Sequence, residues 1–144
     1  MSAQELDLRA LLKAGRHLEF FDRAVKARLK ILISDASGSG KTTLSKGLIK
    51  LIPPEERLLT IEDTRELIVP HNNVVQMLFA KDGQGTANVT AKHFLESALR
   101  MRPERILLQE LRDGTVFFYL RNVNSSHPGS ITTIHADSTA LAFE

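Results

Sequence analysis

The most informative stretch of the chain is Asp35-Ala36-Ser37-Gly38-Ser39-Gly40-Lys41-Thr42. An apolar run at 29–33 precedes it, and a pattern typical of a helix follows. A strand, a Gly-rich turn, a Lys and a hydroxyl residue at a helix start are the layout of a phosphate-binding loop. Consecutive backbone N–H groups in such a turn form an anion nest, to which the helix adds its positive N-terminal end. The stretch therefore predicts a nucleoside triphosphate site.

The residues of this loop have different expected roles. Gly38 and Gly40 let the backbone wrap a phosphate without a clash from a Cβ atom. Lys41 would reach the β and γ phosphates, and the Thr42 hydroxyl would be a ligand of Mg²⁺. Thr43 is a second hydroxyl with no assigned role. The residues expected to contact the nucleotide are Ser37, Gly38, Ser39, Gly40, Lys41, Thr42 and Thr43.

One position of the loop departs from the pattern, because Asp35 stands where a phosphate-binding loop has Gly. If its carboxylate lay ~5 Å from a phosphate charge at an effective dielectric of ~20, the repulsion would be about 3 kcal/mol. A repulsion of that size would weaken the affinity for the nucleotide roughly a hundredfold. A side chain that points outward would have almost no effect. The alternative interpretation of the stretch is a flexible loop before a helix.

The composition is that of one ordinary globular domain. The chain has 144 residues, 42% apolar and 25% charged, with a net charge of +2. The absence of Cys excludes disulfides and thiol catalysis, and the charge balance gives no direct nucleic-acid signal. The N-terminus lacks a signal-peptide pattern, and the longest apolar run, 116–120, is too short to span a bilayer. We therefore expect a cytoplasmic protein.

Predicted strands and helices alternate along the chain. Strands are expected at 30–34, 57–61, 74–79, 105–108 and 130–134, helices at 42–52, 90–101 and 115–123, and a turn at 82–85. The N-terminal region has a helical pattern that puts Leu18, Phe21, Val25 and Leu29 on one face. This alternation predicts an α/β fold with a mostly parallel sheet and helices on both faces. Ligands of such sheets bind at the carboxyl ends of the strands.

Acidic residues follow two of the predicted strands. Glu62 and Asp63 come just after the second strand, where a carboxylate could hold Mg²⁺ or orient the attacking water. The alternative is helix capping, because Asp63 and Glu66 fit a capping box. Glu110 ends the fourth strand, where an acid supports Mg²⁺ across from the phosphate loop. We therefore expect Glu62 and Glu110 to be catalytic, and Thr42 and Glu110 to be the Mg²⁺ ligands.

Basic residues and a histidine complete the candidate site. Arg100, Arg102 and Arg112 flank the fourth strand, and each could contact a phosphate in this chain or in a neighbouring subunit. The alternative for each is a solvated Arg. His135 ends the last strand and is expected to hydrogen-bond a γ-phosphate. A zinc site with His127 is disfavoured, because no third ligand stands at matching spacing.

The chain resembles, in four stretches, the hexameric traffic ATPases of bacterial type IV secretion and conjugation, within the type II/IV secretion ATPase superfamily. These stretches are Glu62-Asp63-Thr64-x-Glu66-Leu67, Arg100-Met101-Arg102-Pro103, residues 105–112, and His127-Pro128-Gly129-Ser130-x-Thr132-Thr133-x-His135-Ala136. The resemblance covers about residues 8–143. The aspartate box at 62–67 and the histidine box at 127–136 make it far more specific than the phosphate loop alone.

The resemblance implies a RecA-like P-loop NTPase core that forms a hexameric ring at the cytoplasmic face of the inner membrane. ATP and Mg²⁺ would be the cofactors, and other secretion-system subunits would be the partners. Hydrolysis of ATP would power substrate translocation or pilus assembly. Glu62 would serve the aspartate box, Glu110 the second acidic motif and His135 the histidine box.

The resemblance also implies an organisation that is incomplete at both ends. Residues 1–28 would be a helical remnant of the N-terminal or linker region, and residues 29–144 a C-terminally truncated ATPase core. Asp35, Gln109 and Ser126 stand at positions where the family leads us to expect Gly. An alternative function is a non-catalytic remnant or interaction module that co-assembles with an intact ring. A third, a P-loop small-molecule kinase, would give the histidine box no role.

Overall fold

The computed structural model describes residues 2–35, 38–79, 89–111, 119, 127–136, 138, 140 and 142. Four helices and five strands lie within these residues. The helices are α1 (Ala3–Lys13), α2 (His17–Lys26), α3 (Lys41–Ile49) and α4 (Ala91–Arg100). The strands are β1 (Ile31–Asp35), β2 (Leu58–Glu62), β3 (Val74–Leu78), β4 (Arg105–Leu111) and β5 (Ile131–His135).

The five strands form one parallel sheet in the order β1-β5-β4-β2-β3. The strand that leads into the phosphate loop, β1, therefore lies next to β5, with Asp35 in register with His135. All five residues of β2 are buried, because this strand has a neighbour on each side and helices over the sheet. The predicted parallel α/β sheet is confirmed.

Side chains of the central strands alternate between two hydrophobic cores, one on each face of the sheet, as the twofold repeat of a strand requires. One core packs α4 on the sheet and contains Leu59, Ile61, Leu95, Ala98, Ile106 and Leu108. The other packs α2 and α3 on the opposite face and contains Val25, Leu48, Ile49, Leu58, Leu107 and Ile131. Helices therefore cover both faces, as predicted.

The N-terminal helices differ in detail from the sequence pattern. Leu18 is 85% exposed and Leu29 36% exposed, whereas α2 buries Ala24 and Val25. Leu29 falls outside the helical repeat because α2 ends at Lys26. The expected turn at 82–85 lies outside the described residues, as does the expected helix at 115–123 except for Tyr119. None of the described helices is long and apolar enough to cross a membrane.

A buried ion pair closes the amino edge of the sheet. Arg105, the first residue of β4, is 0% exposed and donates to both carboxylate oxygens of Glu56, at 2.6 and 2.8 Å. Its Nη1 also donates to the backbone carbonyls of Val25 at 2.9 Å and Gly129 at 3.3 Å. One guanidinium therefore ties the end of α2, the loop before β2 and the turn before β5 to β4.

The turn before β5 fits this guanidinium closely. Gly129 has φ of +82°, which side-chain-bearing residues rarely adopt. A Cβ atom there would lie 2.7 Å from Nη1 of Arg105. The Arg105 guanidinium also lowers the pKa of Glu56 below its ordinary value of 4.5, through its hydrogen bonds to the carboxylate. The amino edge is thus a closed polar cluster.

Candidate functional site

A cavity of about 470 Å³ lies at the carboxyl edge of the sheet. Its volume is within the range typical of small-molecule sites. Four segments line it: the phosphate loop with the start of α3, the segment after β2, the end of β4 and the end of β5. The lining residues are Gly38, Gly40, Lys41, Thr42, Asp63, Thr64, Glu66, Gln109, Glu110, Thr133 and His135.

The phosphate loop reaches the cavity through its last residues. Gly40 precedes α3 with φ of +94°, so the N-terminal N–H groups of α3 follow directly from the loop. The Nζ of Lys41 donates to the backbone carbonyl of Asp35 at 2.7 Å. Ser39 and Thr43 are exposed and are not among the lining residues, and Ser37 lies outside the described residues. The loop is closed across its base by its own lysine.

Asp35, the position that departs from the loop pattern, is exposed at the end of β1. Its side chain is not among those that line the cavity. The carbonyl of the same residue is the group that holds Lys41. The structure thus fits the outward alternative for Asp35, in which the carboxylate has little effect on a bound phosphate.

Glu110 and His135 meet at the cavity from adjacent strands. The Nε2 of His135 lies 2.7 Å from Oε1 of Glu110, and the two side chains are 48% and 16% exposed. Because a carboxylate oxygen can only accept, Nε2 of His135 is assigned as the protonated nitrogen. The register between β4 and β5 shifts between Leu108 and Leu111, an irregularity of the kind found beside active sites. Two of the three predicted catalytic residues therefore form one pair.

Glu62 does not reach the cavity. Its side chain is 0% exposed, and its Oε1 accepts the backbone N–H groups of Glu66 at 2.9 Å and Leu67 at 2.7 Å. Its Oε2 accepts the hydroxyl of Thr60 at 3.0 Å. In this geometry Glu62 holds the segment after β2, and direct action on a nucleotide, which the sequence led us to expect, is not supported. The reason is that Glu62 is the last paired residue of a fully buried strand.

The capping alternative for this segment is also wrong, because no helix begins between residues 63 and 73. The N–H of Asp63 instead donates to Oε1 of Gln109 at 3.2 Å. Asp63, Thr64 and Glu66 reach the cavity from this irregular segment, which the Glu62 carboxylate holds through the backbone N–H groups of Glu66 and Leu67.

Sequence reasoning placed Gln109 beside the nucleotide site only as a departure from an expected Gly, and it gave no role to Thr133; both residues line the cavity. The hydroxyl of Thr133 donates to the backbone carbonyl of Gln109 at 2.7 Å, so β4 and β5 are linked beside the Glu110–His135 pair. Their place in the sequence could have indicated this, because both residues stand near the carboxyl ends of strands.

Two of the predicted arginines, Arg100 and Arg102, are not brought to this cavity. Arg100 ends α4 and Arg102 follows it, so both stand before β4, at the edge of the sheet opposite Glu110. The seven residues of β4 separate the two edges by roughly 20 Å. Arg112 lies outside the described residues. Arg100 and Arg102 could therefore contact a phosphate only in another subunit.

The donors at the cavity fit Mg²⁺ bound together with a nucleotide. Thr42 and Glu110, the predicted ligands, both line it. Mg²⁺ usually keeps several waters and takes one or two protein ligands beside substrate phosphates. No cluster of three or more His, Asp or Glu side chains suited to a metal occurs in the described part of the chain. These residues thus suit a Mg²⁺ site that is completed by the phosphates of a nucleotide, rather than a site formed by protein ligands alone.

Comparison with known proteins matches the whole chain to one family. The family described as "Type II/IV secretion system protein" matches residues 1–144. The type IV secretion system protein VirB11 of Bartonella quintana is 63% identical over 127 residues, which are 88% of this chain and 36% of the relative. This chain therefore spans little more than a third of that relative's length.

Solved structures agree in fold. The VirB11 ATPase of the Brucella suis type IV secretion system, determined in complex with sulphate, is 43% identical with a TM-score of 0.89, over 99% of this chain and 41% of that one. The pilus retraction motor PilT with bound ADP is 28% identical with a TM-score of 0.59, over 74% of this chain and 31% of that one.

Proposed function

This chain belongs to the type II/IV secretion system protein family, and from that premise we propose that its cavity binds Mg²⁺-ATP and hydrolyses it to ADP and phosphate. The observation that carries the proposal is the meeting of Lys41, Thr42 and the Glu110–His135 pair at one cavity. A lysine and a helix N-terminus supply positive charge on one side. A carboxylate lies on the other side, where Mg²⁺ and water would be held.

Binding would use the phosphate loop. The backbone N–H groups at Gly38 and Gly40 and the N-terminus of α3 would cradle the phosphates. Lys41 would exchange the Asp35 carbonyl for phosphate oxygens, a stronger, charge-assisted hydrogen bond. Thr42 and Glu110 would hold Mg²⁺, which would neutralise charge that develops on the phosphates.

Hydrolysis would use the Glu110–His135 pair. A water oxygen attacks the γ-phosphorus, the bond to the β–γ bridging oxygen breaks, and ADP leaves. Glu110, held at 2.7 Å by His135, would orient that water and accept its proton. His135 is half exposed beside the cavity, so its Nε2–H could be shared between Glu110 and an oxygen of the γ-phosphate. Glu62 would act indirectly, by holding the segment that bears Asp63 and Glu66.

Assembly would place further groups at the site. We propose a hexameric ring, peripheral at the cytoplasmic face of the inner membrane, in which turnover powers substrate translocation or pilus assembly with other secretion-system subunits. Arg100 and Arg102 would then contact the nucleotide of a neighbouring subunit, and Arg112 stays a predicted phosphate contact. Residues 1–28 would be a helical remnant of the N-terminal or linker region, and residues 29–144 would belong to the ATPase core.

Calorimetric titration of the full chain with Mg²⁺-ATP tests the proposal. Lys41→Ala removes a charged hydrogen bond, so we expect affinity to fall about tenfold to a hundredfold. The control is Lys50→Ala, an exposed lysine after the last turn of the same helix, which should bind normally. Asp35→Gly should bind within about threefold of the native chain, because the Asp35 carboxylate does not line the cavity.

Equal binding by the native chain and Lys41→Ala would refute the nucleotide site. Binding that appears only in Asp35→Gly would mean that the loop is disabled as it stands. If the chain then joined rings of an intact relative without hydrolysing ATP, the interaction-module alternative would replace the enzyme.

A further inference from the structure

Gln109 bridges two walls of the cavity through its side chain and its backbone carbonyl. Its Oε1 accepts the N–H of Asp63 at 3.2 Å, and its backbone carbonyl accepts the Thr133 hydroxyl at 2.7 Å. Gln109 precedes Glu110 on β4 and lines the cavity with it. This one residue therefore connects the segment after β2 with the ends of β4 and β5.

The bond to Asp63 fixes which way the amide of Gln109 faces. A backbone N–H can only donate, so the atom opposite it must be the carbonyl oxygen. Nε2, bonded to the same carbon, carries two N–H donors. In the described part of the chain no acceptor is recorded for either of them. The cavity wall thus carries a neutral, oriented donor for which the described residues provide no recorded acceptor.

The position of this donor indicates which part of a bound nucleotide it would contact. In the sheet order, β5 separates β4 from β1, so β4 lies two strand spacings, about 9.6 Å, from the strand that leads into the loop. Phosphates cradled at the start of α3 would occupy the loop side of the cavity. A donor on the β4 wall, beside Glu110, would meet the terminal phosphoryl group. ADP lacks that group.

We propose that Gln109 is a specificity-determining residue that distinguishes ATP from ADP. Its Nε2 donates to an oxygen of the γ-phosphate, while its Oε1 keeps the segment after β2 in place through Asp63. This inference rests on the proposed function, because it needs a nucleotide with its phosphates in the loop. Side-chain amides act at this point in other phosphoryl-transfer sites, where they orient the attacking water.

Affinity for two nucleotides measures this selectivity. The native chain and Gln109→Met are titrated with Mg²⁺-ADP and with a non-hydrolysable Mg²⁺-ATP analogue. Methionine has similar length and no charge but cannot donate. A hydrogen bond to a charged group corresponds to about tenfold to a hundredfold in affinity. We expect that loss for the ATP analogue and less than about threefold for ADP.

A matched control uses another glutamine on a strand whose side-chain oxygen accepts a hydrogen bond. Gln76 on β3 accepts from Arg65 at 2.8 Å and is not among the residues that line the cavity. Gln76→Met should bind both nucleotides as the native chain does. Thermal melts of both variants check that the fold persists.

A second measurement needs no variant to fold. In ¹⁵N-labelled native chain, the side-chain amide signal of Gln109 should shift when the ATP analogue is added and should stay near its free position with ADP. A purely structural bridge to Asp63 would give the same signal with both nucleotides.

The outcomes separate this inference from the proposed function. Loss of preference for the ATP analogue in Gln109→Met, with ADP affinity kept, supports it. Equal losses for both nucleotides, no loss, or an amide signal that ignores the γ-phosphate overturns it and leaves the ATPase proposal intact. If the native chain binds neither nucleotide, the proposed function fails and this inference fails with it.

Discussion

Each edge of the sheet holds a carboxylate paired with a nitrogen-bearing side chain, and the two pairs lie in opposite environments. At the amino edge, Arg105 and Glu56 are 0% and 4% exposed, and the guanidinium makes four hydrogen bonds. At the carboxyl edge, Glu110 and His135 pair at 2.7 Å but remain 16% and 48% exposed beside a cavity.

This difference separates closed polar groups from polar groups that a ligand could reach. Charges that are buried and paired cannot lose one partner without leaving the other uncompensated, so they stabilise one arrangement of the chain. Charges that remain open to water beside a cavity add little to stability but can exchange their partners for a ligand. Stability and ligand binding should therefore respond to substitutions at opposite edges, and the following predictions test that division.

The largest expected effect is at Glu56. Glu56→Ala leaves the buried guanidinium of Arg105 without a counter-charge and should lower the free energy of unfolding by roughly 3–5 kcal/mol. Urea denaturation of the full chain measures it. The control is Glu5→Ala, whose partner Arg9 is 63% exposed and whose loss should be under about 1 kcal/mol. Similar losses in the two variants would mean that the amino edge is not a closed cluster.

Gly129→Ala should have the next largest effect. It should lower the free energy of unfolding by about 2–3 kcal/mol, because the backbone would be strained and the new side chain would collide with its neighbour. The new methyl carbon would lie 2.7 Å from Nη1 of Arg105. Gly15→Ala is the matched control: its φ is +69°, and nothing lies within 4 Å of the added carbon. The control should lose only the backbone part, about 1–2 kcal/mol. Equal losses would show that the guanidinium moves aside freely.

Glu62 tests the comparison most sharply, because it lies at the carboxyl edge yet is buried like the amino-edge pair. Glu62→Gln turns charged hydrogen bonds to Glu66, Leu67 and Thr60 into neutral ones, so unfolding should become easier by about 1–2 kcal/mol. Glu66→Gln, at an exposed residue of the same segment, should change stability little. Unchanged stability with abolished hydrolysis in Glu62→Gln would restore the catalytic role predicted from the sequence.

Lowering the pH perturbs the amino edge less than these substitutions do. The pKa of Glu56 is lowered in the folded chain, chiefly by its hydrogen bonds to Arg105. Its contribution to stability is therefore complete above the unfolded pKa, near 4.5, and is lost as pH falls through the lower folded pKa. Denaturation between pH 7 and pH 3 should show this loss, and Glu56→Gln should have a weaker dependence in the same window. An identical dependence in that variant would assign the acid sensitivity to other carboxylates.

The sequence was sufficient for the fold and for part of the site. Strand positions and the loop motif fixed which residues stand at the carboxyl edge, which is why Lys41, Glu110 and His135 do meet there. The sequence pattern could not predict which segments that are distant along the chain contact each other. Asp63 and Gln109 are 46 positions apart, and Glu56 and Arg105 are 49 apart.

The sequence also could not predict which way a side chain points at the end of a strand. Of the adjacent residues Glu62 and Asp63, the sequence favoured the first for the nucleotide site. Yet Glu62 turns inward to backbone N–H groups, and Asp63 lines the cavity. Successive side chains of a strand point to opposite sides, so a choice between neighbours needs coordinates.

His135→Ala should have the smallest effect on stability and a large effect on turnover. The imidazole is 48% exposed, and an exposed ion pair contributes about 0–1 kcal/mol, so unfolding should barely change. ATP hydrolysis should fall by roughly a hundredfold or more if His135 holds Glu110 for proton transfer. The control is His17→Ala, an exposed histidine at the start of α2, with hydrolysis unchanged. A marked loss of stability in His135→Ala would place this pair with the closed cluster of the amino edge and remove the contrast between the two edges.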